Sequence, residues 1–154
     1  MRVLGETMDY QVEILDTKAD PVGLAFVVQK HAESPQEWGM DYEPSEMDIA
    51  HFTELATAEN AVLQVIRHDN KIVAFIWFNF GKTRVELLSL WTDPDYRRKG
   101  MAKKLKIAAE KWGRDNGKKL MTTTVFASNT KMIALNELLG YDIVSYQMEK
   151  KLTD

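Results

Sequence analysis

The 154-residue chain contains no cysteine, and that absence removes several chemistries at once. It can have no disulfide framework, no thiolate metal site and no cysteine acyl-enzyme. Histidine is nearly as scarce. His31, His51 and His68 stand apart from one another without metal-ligand spacing, so each reads as a surface or packing residue. No apolar run approaches the roughly 20 residues that a membrane span needs, and no basic segment followed by an apolar core opens the sequence. Neither export nor membrane attachment is indicated, and a cytoplasmic location is the expectation. No internal repeat, low-complexity tract or linker breaks the chain. With 45% hydrophobic and 28% charged residues, residues 1–154 are expected to fold as one globular domain.

Charge is present but unevenly placed. The first 60 residues hold three basic and thirteen acidic side chains, and the remainder holds seventeen and ten. The basic part suits an anionic ligand, and the acidic part would attract a cation such as an amine or form a solvated face. Nucleic acid is not the expected partner, because positive charge is concentrated at one loop rather than over an extended aromatic-flanked surface.

Periodicity predicts the elements in order. Tyr10 to Leu15 alternates as a strand, and Asp20-Pro21 caps a helix over Val22 to Ala32. Residues 33–44 carry turn formers, acids and two large aromatics without a period and read as a loop. Ser45-Glu46-Met47-Asp48 resembles a capping box that opens a second helix to about Ala56. Ala61 to Arg67, Lys71 to Phe80 and Thr83 to Thr92 read as an antiparallel meander. A helix follows Gly100, with Met101, Leu105, Ala108, Ala109 and Trp112 on its apolar face and Lys103, Lys104, Lys106, Lys111 and Arg114 mostly elsewhere, and it ends at Asn116-Gly117. Leu120 to Phe126 is the next strand, Ser128-Asn129-Thr130 caps a last helix that ends before Gly140, and Ile143 to Leu152 alternates as a final strand.

The chemistry concentrates between Leu87 and Asn116. An apolar strand stops at Asp93-Pro94, and a helix opens just beyond Gly100. The first four amides of a helix lack internal partners, and its dipole adds positive charge there. Main-chain nitrogens from Arg98 to Lys103 could therefore approach a diphosphate, with Arg97, Arg98, Lys99, Lys103 and Lys104 adding charge. A single glycine excludes both the phosphate loop of nucleotide hydrolases and the dinucleotide fingerprint. Arg97-Arg98-Lys99-Gly100-Met101-Ala102, with its Pro94-x-Tyr96-Arg97 lead-in, resembles the [R/Q]-x-x-G-x-[G/A] signature of the GNAT superfamily of acetyl-coenzyme A dependent N-acetyltransferases. Asn129, Met132, Asn136 and Leu139-Gly140-Tyr141 also match a pattern common in that family.

The resemblance implies an α+β fold with a mixed sheet in the order β-α-α-β-β-β-α-β-α-β, acetyl-CoA as co-substrate, and attack by an amine-bearing acceptor with both substrates bound together. It places the main chain of Leu90, Trp91 and Thr92 beside the pantetheine arm, residues Arg97, Arg98, Lys99, Gly100, Met101, Ala102 and Lys103 at the diphosphate, and Asn129 and Asn136 near the cofactor. Glu86, four residues before Leu90, has the spacing of the family's general-base glutamate in some subgroups; the alternative is a rim glutamate paired with Arg84 or a lysine. Many members carry a tyrosine acid where this chain has Asn136, and an amide cannot donate that proton; Tyr141 and Tyr146 are the nearby phenols. The acceptor is expected over the loop with Trp38, Asp41, Tyr42 and Glu43, whose carboxylates and rings suit an ammonium. Homodimers are common in the family. The competing reading of the same fold is a non-catalytic coenzyme A sensor or partner-binding module.

Overall fold

A computed structural model of the chain describes residues 10–153. The elements are β1 (Val12–Ile14), α1 (Pro21–Glu37), α2 (Glu46–Thr57), β2 (Ala61–His68), β3 (Lys71–Phe80), β4 (Arg84–Thr92), α3 (Met101–Asp115), β5 (Leu120–Thr123) and α4 (Thr130–Leu138), with a short 3₁₀ turn over Pro94–Tyr96. The chain divides after Thr124 into two compact units. The first carries a sheet in the order β1-β2-β3-β4-β5, antiparallel except for the parallel β4–β5 pair. The mixed α+β class expected from the sequence is therefore present. No described helix is long and apolar enough to cross a membrane.

Side-chain alternation explains why this sheet is covered on both faces. Val62, Ile66, Ile76, Phe78, Val85 and Leu87 gather with Met101, Leu105 and Ala109 of α3. Leu63, Val65, Phe75 and Trp77 gather instead with Val27, Val28 and Ala56 of α1 and α2. Strands buried on both faces must be apolar almost throughout, which accounts for the unbroken run from Ile72 to Phe78.

Cap chemistry sets the helix starts. Gly23 N donates to Asp20 Oδ1 at 2.8 Å, with Pro21 in the first turn. At α2 the capping box is complete: Asp48 N donates to Ser45 Oγ, and Ser45 N donates to Asp48 Oδ2. Helix α1 runs further than Ala32, to Glu37, although Pro35 lies inside it. Proline has no N–H for the carbonyl four residues back, which is that of His31. The Ser34 hydroxyl donates to that carbonyl at 2.8 Å, so the last turn survives.

Three other expectations are corrected. Leu120 to Phe126 forms a strand only to Thr123. Lys106, expected on the polar side of α3, is 1% exposed, and its pKa is pulled down to about 8 by desolvation, which the Glu110 carboxylate opposes. The segment Ile143 to Leu152 is not a strand. Val144 and Met148 are 91% and 89% exposed; alternation supplies a pattern, but a strand also requires a bonded neighbour, and none is formed among the described residues.

His31 packs edge-on against Phe52 and Trp77, with ring centroids 4.7 and 4.9 Å away. Burial disfavours its cation and lowers its pKa. The unfolded chain takes up that proton near pH 6.5 while the folded protein resists it, so folding stability is intact above that value and falls as pH drops through it. Denaturant midpoints should decline from about pH 7.5 to about pH 5.5 more steeply in the wild type than in His31→Leu; equal slopes would show that this ring does not titrate with unfolding.

Candidate active site

The site is built on the two ends of β4. At its start, Arg84 to Leu87 pair in parallel with Leu120 to Thr123. Strand β5 then ends, so among the described residues Leu88 to Thr92 have a strand partner only on the β3 side. At the same point the register slips: Phe78 lies opposite Leu87 and Trp77 opposite Ser89, leaving Leu88 as an extra residue. The bulge exchanges the faces beyond it. Leu90 joins the α3 side with Val85 and Leu87, while Leu88 and Trp91 join the α1–α2 side. The Trp91 ring stacks on Phe75 at 5.7 Å and meets Phe26 edge-on at 5.2 Å, with Lys30 Nζ 5.4 Å from its centroid. That side chain is committed to packing, which leaves the main chain of Leu90, Trp91 and Thr92 as the open feature of the strand.

Beyond Thr92 the loop is held from beneath. Asp93 is buried: its amide donates to Val73 O at 2.8 Å, its carboxylate accepts from Asp95 N at 2.9 Å, and Lys71 Nζ lies 3.2 Å away. The Asp95 bond and then Lys71 hold its pKa below the usual carboxylate value. Tyr96 Oη lies 2.6 Å from His68 Nδ1. Arg97 Nε donates to Thr92 O at 3.1 Å, and its other end faces Glu37 at 3.8 Å. Arg97 is thus engaged at the base of the loop, whereas Arg98, Lys99 and Lys103 are exposed.

Arg98 and Gly100 both adopt left-handed backbone, with φ of 63° and 78°. A non-glycine residue at 100 would be strained. Gly100 offers no side-chain cap to α3, and a Cβ built there would meet nothing within 4 Å. The first-turn amides of Met101, Ala102 and Lys103 therefore open onto free space with cations around them, as a bound diphosphate requires.

Glu86 shares its strand with this apparatus but faces elsewhere. Asn79, Glu86 and Thr122 are register partners across three strands and line one open pocket of about 280 Å³ with Asn60, Phe80, Gly81 and Arg84. Glu86 is exposed, and neither its side chain nor that of Arg84 has a hydrogen-bond or ion-pair partner among the described residues. The suggested Glu86–Arg84 ion pair is therefore not formed. Of the pocket lining, sequence reasoning had singled out Glu86 alone. Asn79 and Thr122 come from separate strands and Asn60 from the turn before β2, and only strand register and the Asn60 Nδ2 to Phe80 O bond bring them together.

The other candidates divide. Trp38, Asp41 and Glu43 are exposed on the segment between α1 and α2, which begins next to the Arg97–Glu37 pair. Tyr42 is less available: its hydroxyl donates to Asp48 Oδ2 at 2.8 Å, which raises its pKa and ties it to the α2 cap. In the second unit, Asn129 Oδ1 accepts from Met132 N at 3.2 Å and so caps α4. Asn136 is 5% exposed, with Oδ1 buried and unpartnered among the described residues.

The acetyltransferase (GNAT) family model matches residues 26–141, and the chain belongs to that family. It is an acyltransferase that uses acetyl-CoA. No curated protein sequence matches it. Among solved structures, the Bacillus subtilis protein YycN superposes with a TM-score of 0.72 at 21% identity, over 95% of this chain and 100% of that one. AAC(6')-Iy, in complex with the bisubstrate analogue CoA-S-monomethyl-acetylneamine, superposes at 0.66 and 15% identity over 96% and 100%. An aminoglycoside acetyltransferase from an uncultured soil sample, in complex with trehalose, gives 0.67 and 16% over 92% and 97%. At these identities the likeness is one of fold. The residues present fit acetyl-CoA: an uncapped cationic helix start with open space before it, and a strand bonded on one side only, are complementary to a diphosphate and an amide-bearing arm.

The Tyr96–His68 contact should matter to that fit. One hydrogen bond of about 1 kcal/mol corresponds to roughly fivefold in affinity. Tyr96→Phe should weaken coenzyme A binding by about that factor in calorimetry, with an unchanged far-ultraviolet circular dichroism spectrum; unaltered affinity would show that the loop holds its shape without the hairpin.

Proposed function

We propose that the protein transfers the acetyl group of acetyl-CoA to a primary amine by direct attack, with both substrates bound together. The observation that carries this reading is the placement of Glu86, an unpaired carboxylate in an open pocket on the strand whose far end leads into the diphosphate loop. Two residues along a strand span about 7 Å, so Glu86 lies within one acceptor's length of the bulge at Leu88. The binding of an acetylneamine analogue by AAC(6')-Iy supports an amine as the acceptor class.

The residues have separable tasks. The amides from Arg98 to Lys103, with Arg98, Lys99 and Lys103 side chains, hold the diphosphate, and Arg97 braces the loop. The main chain of Leu90, Trp91 and Thr92 aligns the pantetheine, with an amide there polarising the carbonyl, since preorganised donors cost no reorganisation. Bound acetyl-CoA supplies an activated thioester. An aliphatic ammonium has a pKa near 10.4, so its proton must leave before its nitrogen can attack. Glu86 takes that proton, directly or through water. The departing thiolate is a tolerable leaving group and draws its proton from solvent, since Asn136 cannot donate one. Trp38, Asp41 and Glu43 contribute attraction for the acceptor from the neighbouring segment. A cytoplasmic setting accords with this co-substrate.

General-base groups typically contribute about 10² to 10⁴ in rate. Glu86→Gln should lower kcat for thiol release by about a hundredfold or more, with the Kd for coenzyme A unmoved. A fully active Glu86→Gln enzyme would remove the base assignment. Gly100→Asp, which places a carboxylate and a strained φ at the diphosphate, should weaken coenzyme A binding by more than about tenfold. Wild-type protein that binds coenzyme A tightly but turns over no amine would support the sensor reading instead.

A further inference from the structure

The pocket around Glu86 carries both signs of charge, and this narrows the acceptor. Arg84 and Glu86 are separated by one residue on β4, so their side chains leave the same face of the sheet about 7 Å apart at their roots. Neither is neutralised by another described side chain. The cationic end is reinforced: Lys118 Nζ donates to Gly81 O at 2.7 Å and lies 4.7 Å from the Phe80 ring centroid, and both Gly81 and Phe80 line the pocket. Between these ends stand uncharged hydrogen-bonding groups, Asn60, Asn79 and Thr122.

The donors in that row are partly committed. Trp77 Nε1 donates to Asn79 Oδ1 at 2.8 Å, and Asn60 Nδ2 donates to Phe80 O at 3.2 Å. These bonds fix the amides as walls and leave the guanidinium and the carboxylate as the charged groups with unused capacity. A polycation such as a polyamine or an amino sugar would set a second positive charge against Arg84 and Lys118. A compact molecule with an ammonium and a carboxylate a few bonds apart satisfies both ends.

We propose that the acceptor is a free amino acid, its carboxylate on Arg84 and its amine at Glu86. This rests on the acetyl-transfer reading above and names the substrate class of that site. In that transfer Glu86 receives one proton of the ammonium, the amine nitrogen forms the new bond to the acetyl carbon, the carbon–sulfur bond breaks with its electron pair leaving on the thiolate, and the second nitrogen proton passes through solvent to that thiolate. Arg84 takes no part in those steps and acts in recognition only.

The test compares matched acceptors. Thiol release is measured for the common amino acids, their α-amides, spermidine and neamine, and binding of the preferred amino acid is followed by calorimetry with coenzyme A present. The expected result is a kcat/KM for an amino acid at least about tenfold above that of its amide, as loss of a charge-assisted hydrogen bond implies. In Arg84→Gln that ratio falls to about one through a raised KM, and the calorimetric affinity for the amino acid drops in parallel. Turnover that favours spermidine, neamine or the amides, or a ratio that Arg84→Gln leaves intact, overturns the amino acid assignment while leaving acetyl transfer standing. Absence of turnover with every amine, coenzyme A still binding, overturns both.

Discussion

Strand β4 loses its second neighbour at Leu87 opposite Thr123, and much of the site follows from that loss. A sheet interior normally pairs backbone groups on both sides of each strand. From Leu88 to Thr92 one side is left to something other than protein strand, and an extended ligand with amides of its own is what such an edge can accept. The extra residue at Leu88 makes this tolerable for the core. Without it, the alternation that directs Val85 and Leu87 toward α3 would carry Leu90 to the opposite face, and Trp91 would leave Phe75 and Phe26. The bulge restores the hydrophobic division on both faces at the point where the strand departs from its partner.

The loop beyond β4 divides shape from charge. Its shape is set by the β2–β3 hairpin, which turns through left-handed Asp69 and Asn70. His68 and Lys71 flank that turn and reach Tyr96 and Asp93 respectively. Its charge comes from Arg98, Lys99 and Lys103, which are exposed and so act through a field that salt screens over about 8 to 10 Å. Backbone placement therefore depends on partly buried, short-range contacts, while attraction of the anion depends on replaceable surface cations. A substitution at Asp93 or Tyr96 acts on geometry, and one at Lys99 acts on attraction.

The sequence disclosed whatever depends on local order. The bounds of β3, the Asp20 and Ser45 caps and the helix start after Gly100 follow from periodicity, hydroxyl or carboxylate capping and a single glycine. Local order misled where a neighbour compensates. Pro35 looks like a helix stop until the Ser34 hydroxyl is seen to occupy the carbonyl that proline leaves unbonded. Lys106 looks solvated until packing encloses it. Residues 143–152 show how little alternation decides without a strand to pair with. In the pocket, Glu86 was legible from its spacing to Leu90, whereas Asn79 and Thr122 gain meaning only from the registers Asn79 to Glu86 and Glu86 to Thr122, and Asn60 only from its bond to Phe80 O. No pattern along the chain encodes that row.

About half of the acids in the first 60 residues take on a different meaning once they are placed. Asp16 accepts from the amides of Lys18 and Ala19 in the turn before α1. Asp20 caps α1 and, with Glu13, holds Arg67; the Gly23 amide and then Arg67 lower its pKa. Asp48 caps α2, Glu33 meets Lys30 at 3.8 Å, and Glu37 meets Arg97. These acids are occupied with helix starts, turns and ion pairs, and a carboxylate so engaged projects less field than a free one. Part of the acidic excess therefore serves the fold, and the exposed Asp41 and Glu43 remain to attract an ammonium. A zwitterion, with no net charge to be steered, would depend on the short-range pairing that Arg84 and Glu86 offer within the pocket.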